Sequence, residues 1–303
     1  MLRNTALKTS LTHSLRTGTL LLVASLGMNL AAQAGEQDAR TSSSKDSKDK
    51  NVIQQAPPAE PKFYVELLGG AEFDIHATKF LSNGSTVFTG AGGGPLIANK
   101  IQSRDFSSTH DPVVNARLNL GYKVLPYLSL FAGFTYSHSN GHERRVGSVT
   151  DFDATVIANP GARYDLYARL GDYQAYAGRG GFKLTLPRTI LDFIHAPQAI
   201  TPYFTASAGG KYIESQEISF YSGTRPTVVD TGYGTLYGNS WVFTSEAEFG
   251  YELKLTRNAS VVFESGYGYD TKPQGGSLPG VNGVDRGGNR LYSTVSLGAK
   301  IKF

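Results

Sequence analysis

Between Asn289 and Phe303 the chain reads NRLYSTVSLGAKIKF, and its side chains sort by parity. Leu291, Val295, Leu297, Ala299, Ile301 and Phe303 hold odd positions, together with Ser293. Tyr292, Thr294, Ser296, Gly298, Lys300 and Lys302 hold the even ones. A period of two puts these sets on opposite faces of a β-strand. An apolar-faced strand ending on an aromatic residue makes a poor exposed edge in a soluble sheet. It is well suited to close a sheet in lipid, where every strand N–H and C=O must find a neighbouring strand.

Seven earlier segments alternate in the same way, so eight strands are expected: 62–73, 113–124, 127–138, 172–186, 201–213, 240–256, 259–269 and 289–303. The gaps between them follow a rhythm. After strands one, three, five and seven the connections are long (74–112, 139–171, 214–239, 270–288). After strands two and six they shrink to Leu125-Pro126 and Arg257-Asn258. Long loops on one side and tight turns on the other are the pattern of an outer-membrane barrel. The stretch after strand four, 187–200, is intermediate, and its RTILDFIH core reads either as a short helix at the membrane interface or as an irregular loop. The fold class expected is all-β: an eight-stranded antiparallel up-and-down transmembrane β-barrel.

Mean hydropathy is −0.23. Beyond the N-terminus no apolar run approaches the ~20 residues a spanning helix needs. The absence of Cys removes disulfides, thiolate metal sites and a Cys nucleophile. Residues 1–34 carry Arg3, Lys8 and Arg16, then an apolar stretch and Ala32-Gln33-Ala34, which reads as a signal peptide cleaved after Ala34. Residues 35–61 are polar, mixed in charge and proline-ended, as expected of a disordered periplasmic linker. The barrel domain is then 62–303. The formal charge is +4, with 29 basic and 25 acidic residues; without the three basic residues of 1–34 it falls to +1. No clustered basic face of the kind nucleic acid requires is visible.

Parity assigns the two faces. Glu66, Glu72, Glu246, Glu248, Glu252 and Glu264 fall on the polar side, with Arg117, Lys123, Arg179, Lys183, Lys211, Lys254, Lys300 and Lys302. An eight-stranded barrel is just wide enough to be filled by its own side chains. Near-balanced charges there are expected to pair into a plug, centred on Glu66, Arg117, Arg179, Lys183, Lys211, Glu246, Glu248, Glu264 and Lys300; an unpaired buried charge is costly. Two aromatic girdles are expected. Phe63, Tyr122, Tyr127, Tyr203 and Phe303 belong to the inner rim, and Phe73, Tyr136, Tyr173, Tyr212, Trp241, Tyr267 and Tyr269 to the outer.

Residues 296–303, SLGAKIKF, match the polar-x-Gly-x-x-hydrophobic-x-hydrophobic C-terminal signal carried by substrates of the barrel-assembly machinery, through Gly298, Ile301 and Phe303. With eight strands and four long loops, the chain resembles small outer-membrane barrels of the OmpA-transmembrane-domain and opacity-protein type. It lacks the C-terminal peptidoglycan-binding domain of full-length OmpA, so that role is not carried over. The resemblance implies a cell-outer-membrane location with periplasmic termini and external loops. It also implies contact with outer-membrane lipid and lipopolysaccharide, use of the assembly machinery during biogenesis, and a monomer. The function expected is a structural or surface-interaction role with a filled lumen. The alternatives are a small porin-like diffusion channel and, less favoured, a lipid A-modifying enzyme.

Candidate chemistry is sparse. Tyr136-Ser137-His138-Ser139-Asn140-Gly141 is similar to the His-x-Ser-Asn stretch of outer-membrane lipid A deacylases. Here His138 and Ser139 are adjacent, which sends them to opposite faces of a strand. His76, His110 and His142 are expected as solvated loop residues, and His142-Glu143-Arg144-Arg145 lacks the second His of a zinc-protease helix. The glycines of 90–94 and Gly275-Gly276 precede neither Lys-Ser/Thr nor a helix, so flexible loop is the reading. Lys79, Lys100, Arg104, Arg144 and Arg145 are candidates to meet lipopolysaccharide or simply to solvate the loops. No catalytic, metal or cofactor set is assigned.

Overall fold

The computed structural model describes the chain from residue 61, apart from 78–80, 83–85, 90–94, 103, 152–162, 194–196, 198, 223–228, 277–284 and 287. The expected signal peptide, all but the end of the linker, and the 90–94 glycine run lie outside the described residues.

Eight long strands form the barrel: β1 (Phe63–Ala77), β2 (Val113–Leu125), β3 (Leu128–Ser139), β4 (Tyr173–Thr185), β5 (Ile200–Ile213), β6 (Ser240–Lys254), β7 (Ala259–Asp270) and β8 (Arg290–Lys302). Each pairs antiparallel with its sequence neighbours, and β8 closes on β1 with Tyr64 opposite Lys302 and Ala71 opposite Val295. The ends agree with the sequence reading to within two residues except in β1, which runs four residues further. Asp74 and His76 belong to that extension, where the ladder shifts register; their polarity disguised it as loop.

At one end, the turn end, β2 and β3 are joined through Pro126-Tyr127 and β6 and β7 through 255–258. In the second turn Thr256 Oγ1 accepts from the Ala259 N–H at 3.0 Å, which holds the reversal. The third connection contains a helix at Arg188–Phe193, so the helical alternative is the one realised.

At the other end, the loop end, the long connections expected after strands one, three, five and seven carry strands of their own. Their hairpins continue upward as a six-stranded sheet in the order Val229–Tyr237, Gln216–Ser222, Arg163–Leu170, Glu143–Asp151, Pro95–Ile101 and Thr86–Thr89. A two-stranded pair, Leu81–Ser82 with Asp285–Arg286, ties the first loop to the last. The sheet forms because these segments also alternate. Leu166, Ala168 and Leu170 are buried against exposed Asp165 and Arg169, and Ile218 and Phe220 against exposed Glu217. The apolar faces merge with Val113, Tyr173, Ala175 and Ile213 into one core over the barrel mouth. Burial of this kind, at about 25 cal/mol per Å² of apolar surface, is what holds such a sheet together outside the membrane.

Candidate functional site

The outer wall of the barrel is apolar. Leu120, Leu130, Phe134, Phe243, Phe249 and Leu297 are each at least half exposed, a pattern that water would penalise and lipid would not. Rims of Phe63, Tyr127 and Phe303 at the turn end and of Phe73, Trp241 and Tyr267 at the loop end flank this band. The ladder is closed, so no backbone edge faces the hydrocarbon. The chain is a closed eight-stranded transmembrane-type β-barrel. Two girdle assignments need correction. Tyr203 (2% exposed) and Tyr173 (4%) point inward; proximity to a rim suggested the girdle, but parity decides the face.

The barrel lumen is a continuous run of charged side chains. At the turn end Glu252 accepts from Lys300 at 3.0 Å and from Ser260 at 2.9 Å, and it pairs with Lys302. Lys300 reaches Glu66 at 3.4 Å, Glu66 pairs with Lys183, and Lys183 lies 3.8 Å from Glu264. In the middle Arg117 donates to both oxygens of Glu248, at 2.8 and 3.0 Å, and lies 3.2 Å from Glu246. Arg179 pairs with the same Glu246 oxygen, Oε2, and donates to Thr135 Oγ1 at 2.6 Å. Toward the loop end Lys211 pairs with Asp270 at 2.6 Å, while Arg290 reaches Glu72 at 2.7 Å and Asp74 at 2.6 Å.

All nine residues named for the lumen network therefore sit inside, each less than a tenth exposed: Glu66, Arg117, Arg179, Lys183, Lys211, Glu246, Glu248, Glu264 and Lys300. Lys123 and Lys254, which parity also sent inward, do not. Lys254 is exposed and Lys123 half-exposed, because both lie at strand ends below the closed section. Three members were missed. Asp74 and Asp270 fall in stretches expected as loops, and Arg290 at the start of the last expected strand. With them the described lumen holds eight carboxylates, those of the six glutamates, Asp74 and Asp270. Seven cations oppose them: Arg117, Arg179, Arg290, Lys183, Lys211, Lys300 and Lys302.

Tyrosines provide the second layer of the arrangement. Tyr64, Tyr203 and Tyr292 each lie flat over a glycine of the adjacent strand, Gly121, Gly250 and Gly268 respectively, where any Cβ would collide with the ring. Their faces receive the cations. The ammonium of Lys183 is 4.1 Å from the Tyr203 ring centre, Lys300 is 4.1 Å from Tyr64, and Lys211 is 5.1 Å from Tyr292. A desolvated cation–π contact is worth about 2 kcal/mol. Tyr203 and Tyr292 also donate to Glu264 and Glu246, each at 3.0 Å.

The loop-end mouth is covered by the short helix Phe106–Thr109. Phe106 stacks on His110 (4.2 Å between ring centres), meets Tyr173 edge-on at 5.3 Å and covers the Arg290 guanidinium at 4.9 Å. His110 is thus not the solvated loop histidine expected, but 4% exposed. Gln216 Nε2 donates to the Gly171 carbonyl at 2.8 Å and is hydrogen-bonded to His110 Nε2, while Nδ1 of the same ring lies 3.0 Å from Thr109 Oγ1. Burial pushes the His110 pKa down to about 4. His142 does pair, at 2.7 Å with Asp111, and that bond holds the Asp111 carboxyl below its usual range. The side chain of His76 falls outside the described residues. His138 and Ser139 take opposite faces of β3, and only Ser139 is buried, as adjacency requires.

An unfolded histidine titrates near 6.5, so between that value and about 4 the unfolded chain binds a proton that the cap excludes. The contribution of His110 is fully present above pH 6.5 and is lost as the pH falls, up to about 3 kcal/mol. Hydrogen exchange at the Phe106–His110 amides should show protection dropping between pH 7 and 4.5. An unchanged opening free energy would contradict a neutral buried His110.

No known family pattern matches the chain, and no curated protein matches it in sequence. Among solved structures it is similar to Neisserial surface protein A (12% identity, 80% of this chain and 97% of the other, TM-score 0.32). It is also similar to the attachment invasion locus protein of Yersinia pestis, solved with the heparin analogue sucrose octasulfate (11% identity, 81% and 100%, TM-score 0.29). A third is the outer membrane protease OmpT of Escherichia coli (11% identity, 80% and 97%, TM-score 0.26). The barrel assignment rests on the closed ladder and apolar wall, not on these similarities.

Proposed function

We propose that the protein is a non-conducting, non-enzymatic anchor: a barrel sealed by its own ion pairs that holds a folded β-platform at the cell surface. The observation that carries this reading is the lumen, where Glu246 is shared between Arg117 and Arg179 across the barrel middle. A selective pore is lined by charge of one sign, whereas here the signs interlock. The loop end then faces outward and both ends of the barrel domain face the periplasm, with lipopolysaccharide around the loop-end rim. Surface recognition falls to the platform, since loops on rigid scaffolds usually carry binding.

Planar-bilayer recording tests the seal. The purified barrel should give no steady openings at neutral pH, and stable channels would replace this reading with the diffusion channel. Biogenesis is tested at the other end of the molecule. Phe303 is 68% exposed at the rim, and its N–H donates to the Phe63 carbonyl at 2.9 Å. Deleting Phe303 should therefore lower the amount inserted in the outer membrane several-fold while leaving export intact. Unchanged levels in fractionated envelopes would remove Gly298, Ile301 and Phe303 from the assembly-signal role.

A further inference from the structure

The turn end carries exposed apolar side chains around the barrel, and on the β4–β6 side they reach furthest. Along β6 and into the turn that follows it the outward positions run from Trp241 to Leu255, all apolar but Ser245, and Tyr251, Leu253 and Leu255 remain 42–55% exposed. At ~3.4 Å per residue and a tilt near 40°, that run covers about 35 Å of membrane height. On β2 the corresponding run, Val114 to Val124, covers about 26 Å by the same rise and tilt, close to the ~25 Å apolar band of such barrels. Trp241, a residue type that settles at the headgroup level, marks the upper limit on β6. The excess therefore lies below, at the turn end.

The helix Arg188–Phe193 belongs to this same side, since it joins β4 to β5 and β5 pairs with β6 through Ile200 and Leu253. Its first turn is set by Pro187, whose carbonyl accepts from the N–H groups of Ile190 (3.1 Å) and Leu191 (3.3 Å). Leu191 is 1% exposed and fixes one side of the helix to the protein. Ile190 (48%) and Phe193 (84%) are three residues apart, hence on one face, and both point away from that contact. A phenylalanine so exposed has no partner in the described structure, and the wall next to it is lipid-facing.

We propose that this connection is a foot lying in the leaflet at the turn end, with Ile190 and Phe193 immersed where the acyl chains meet the headgroups. The occupant is lipid because Leu184 and Leu186, both exposed, lead from the β4 wall into the foot, where exposed Thr189 and Asp192 beside Ile190 and Phe193 give it the mixed face of an interfacial segment. An interfacial segment of this kind gains in proportion to the apolar area it buries. The inference rests on the membrane reading above and adds an immersed element beneath β4–β6 to the rim of Phe63, Tyr127 and Phe303.

The chain has a single tryptophan, Trp241, which makes the test direct. The full chain is reconstituted in phosphatidylcholine vesicles in two forms, wild type and the Phe193→Trp/Trp241→Phe variant. Quenching is measured with acyl chains brominated at shallow or deep positions and with aqueous iodide. The tryptophan at 193 should be quenched more by shallow than by deep bromine, and several-fold less by iodide than in the denatured chain. Iodide access at 193 with bromine quenching retained at Trp241 would overturn the foot and leave the barrel standing. Iodide access at both sites would overturn the membrane reading itself. Shielding at 193 from bromine and iodide alike would mean that protein, not lipid, covers this face, and would also overturn the proposal.

Discussion

Replacing Arg117 by alanine should destabilise the barrel by about 3–5 kcal/mol, the usual cost of removing one partner from a buried charge cluster. Arg117 is 2% exposed, grips Glu248 with two hydrogen bonds and lies against Glu246. Its removal leaves Glu246 paired with Arg179 and strips Glu248 of its cation, with the Thr294 hydroxyl still donating to it. Denaturant unfolding in lipid vesicles should show the midpoint fall without loss of strand content. Adding Glu248→Ala should restore part of the loss, because the second carboxylate no longer lacks a counter-charge. A double variant whose loss equals the sum of the singles would mean that the pair is not coupled, and the sealed-lumen argument would lose its centre.

The second large effect belongs to the opposite face of the wall. Val295 is 40% exposed, between Ala71 on β1 and Ser265 on β7, midway along β8. Val295→Arg puts a cation into the hydrocarbon near the midplane and should cost about 2–4 kcal/mol, whereas Leu291→Arg near the loop-end rim should cost about 0–1 kcal/mol. The gradient is the informative quantity. A soluble sheet would lose about the same amount at both positions, so equal losses measured in vesicles would sink the depth assignment.

These two variants also mark what could be read from the chain alone. The two-residue period is a local property, so it sorted Val295 outward and Arg117 inward without knowledge of any partner. Partners are another matter. That Glu246 would be shared by Arg117 and Arg179 depends on the width and shear of the closed barrel, which no single strand encodes. The errors cluster where parity and position disagree. Asp74, Asp270 and Arg290 are charged residues at strand ends, and charge near a strand end resembles a loop. Tyr203 resembles a rim residue by position, but Gly250, paired directly with it on β6, supplies the gap its ring fills. The platform strands were missed because their short alternations, such as Gln216 to Ser222, are interrupted by turn-forming sequence at both ends.

The platform has a consequence for how this surface can change over generations. Its strands run on from the barrel, with one row of side chains packed in a core and the next in water. Ile218 and Phe220 are locked by that packing, while Glu217 and Ser219 between them are not. With the outward orientation proposed above, sequence drift imposed on this face would be absorbed at every second residue. Such a face can alter its chemical identity while keeping its contour, which an irregular loop does not manage.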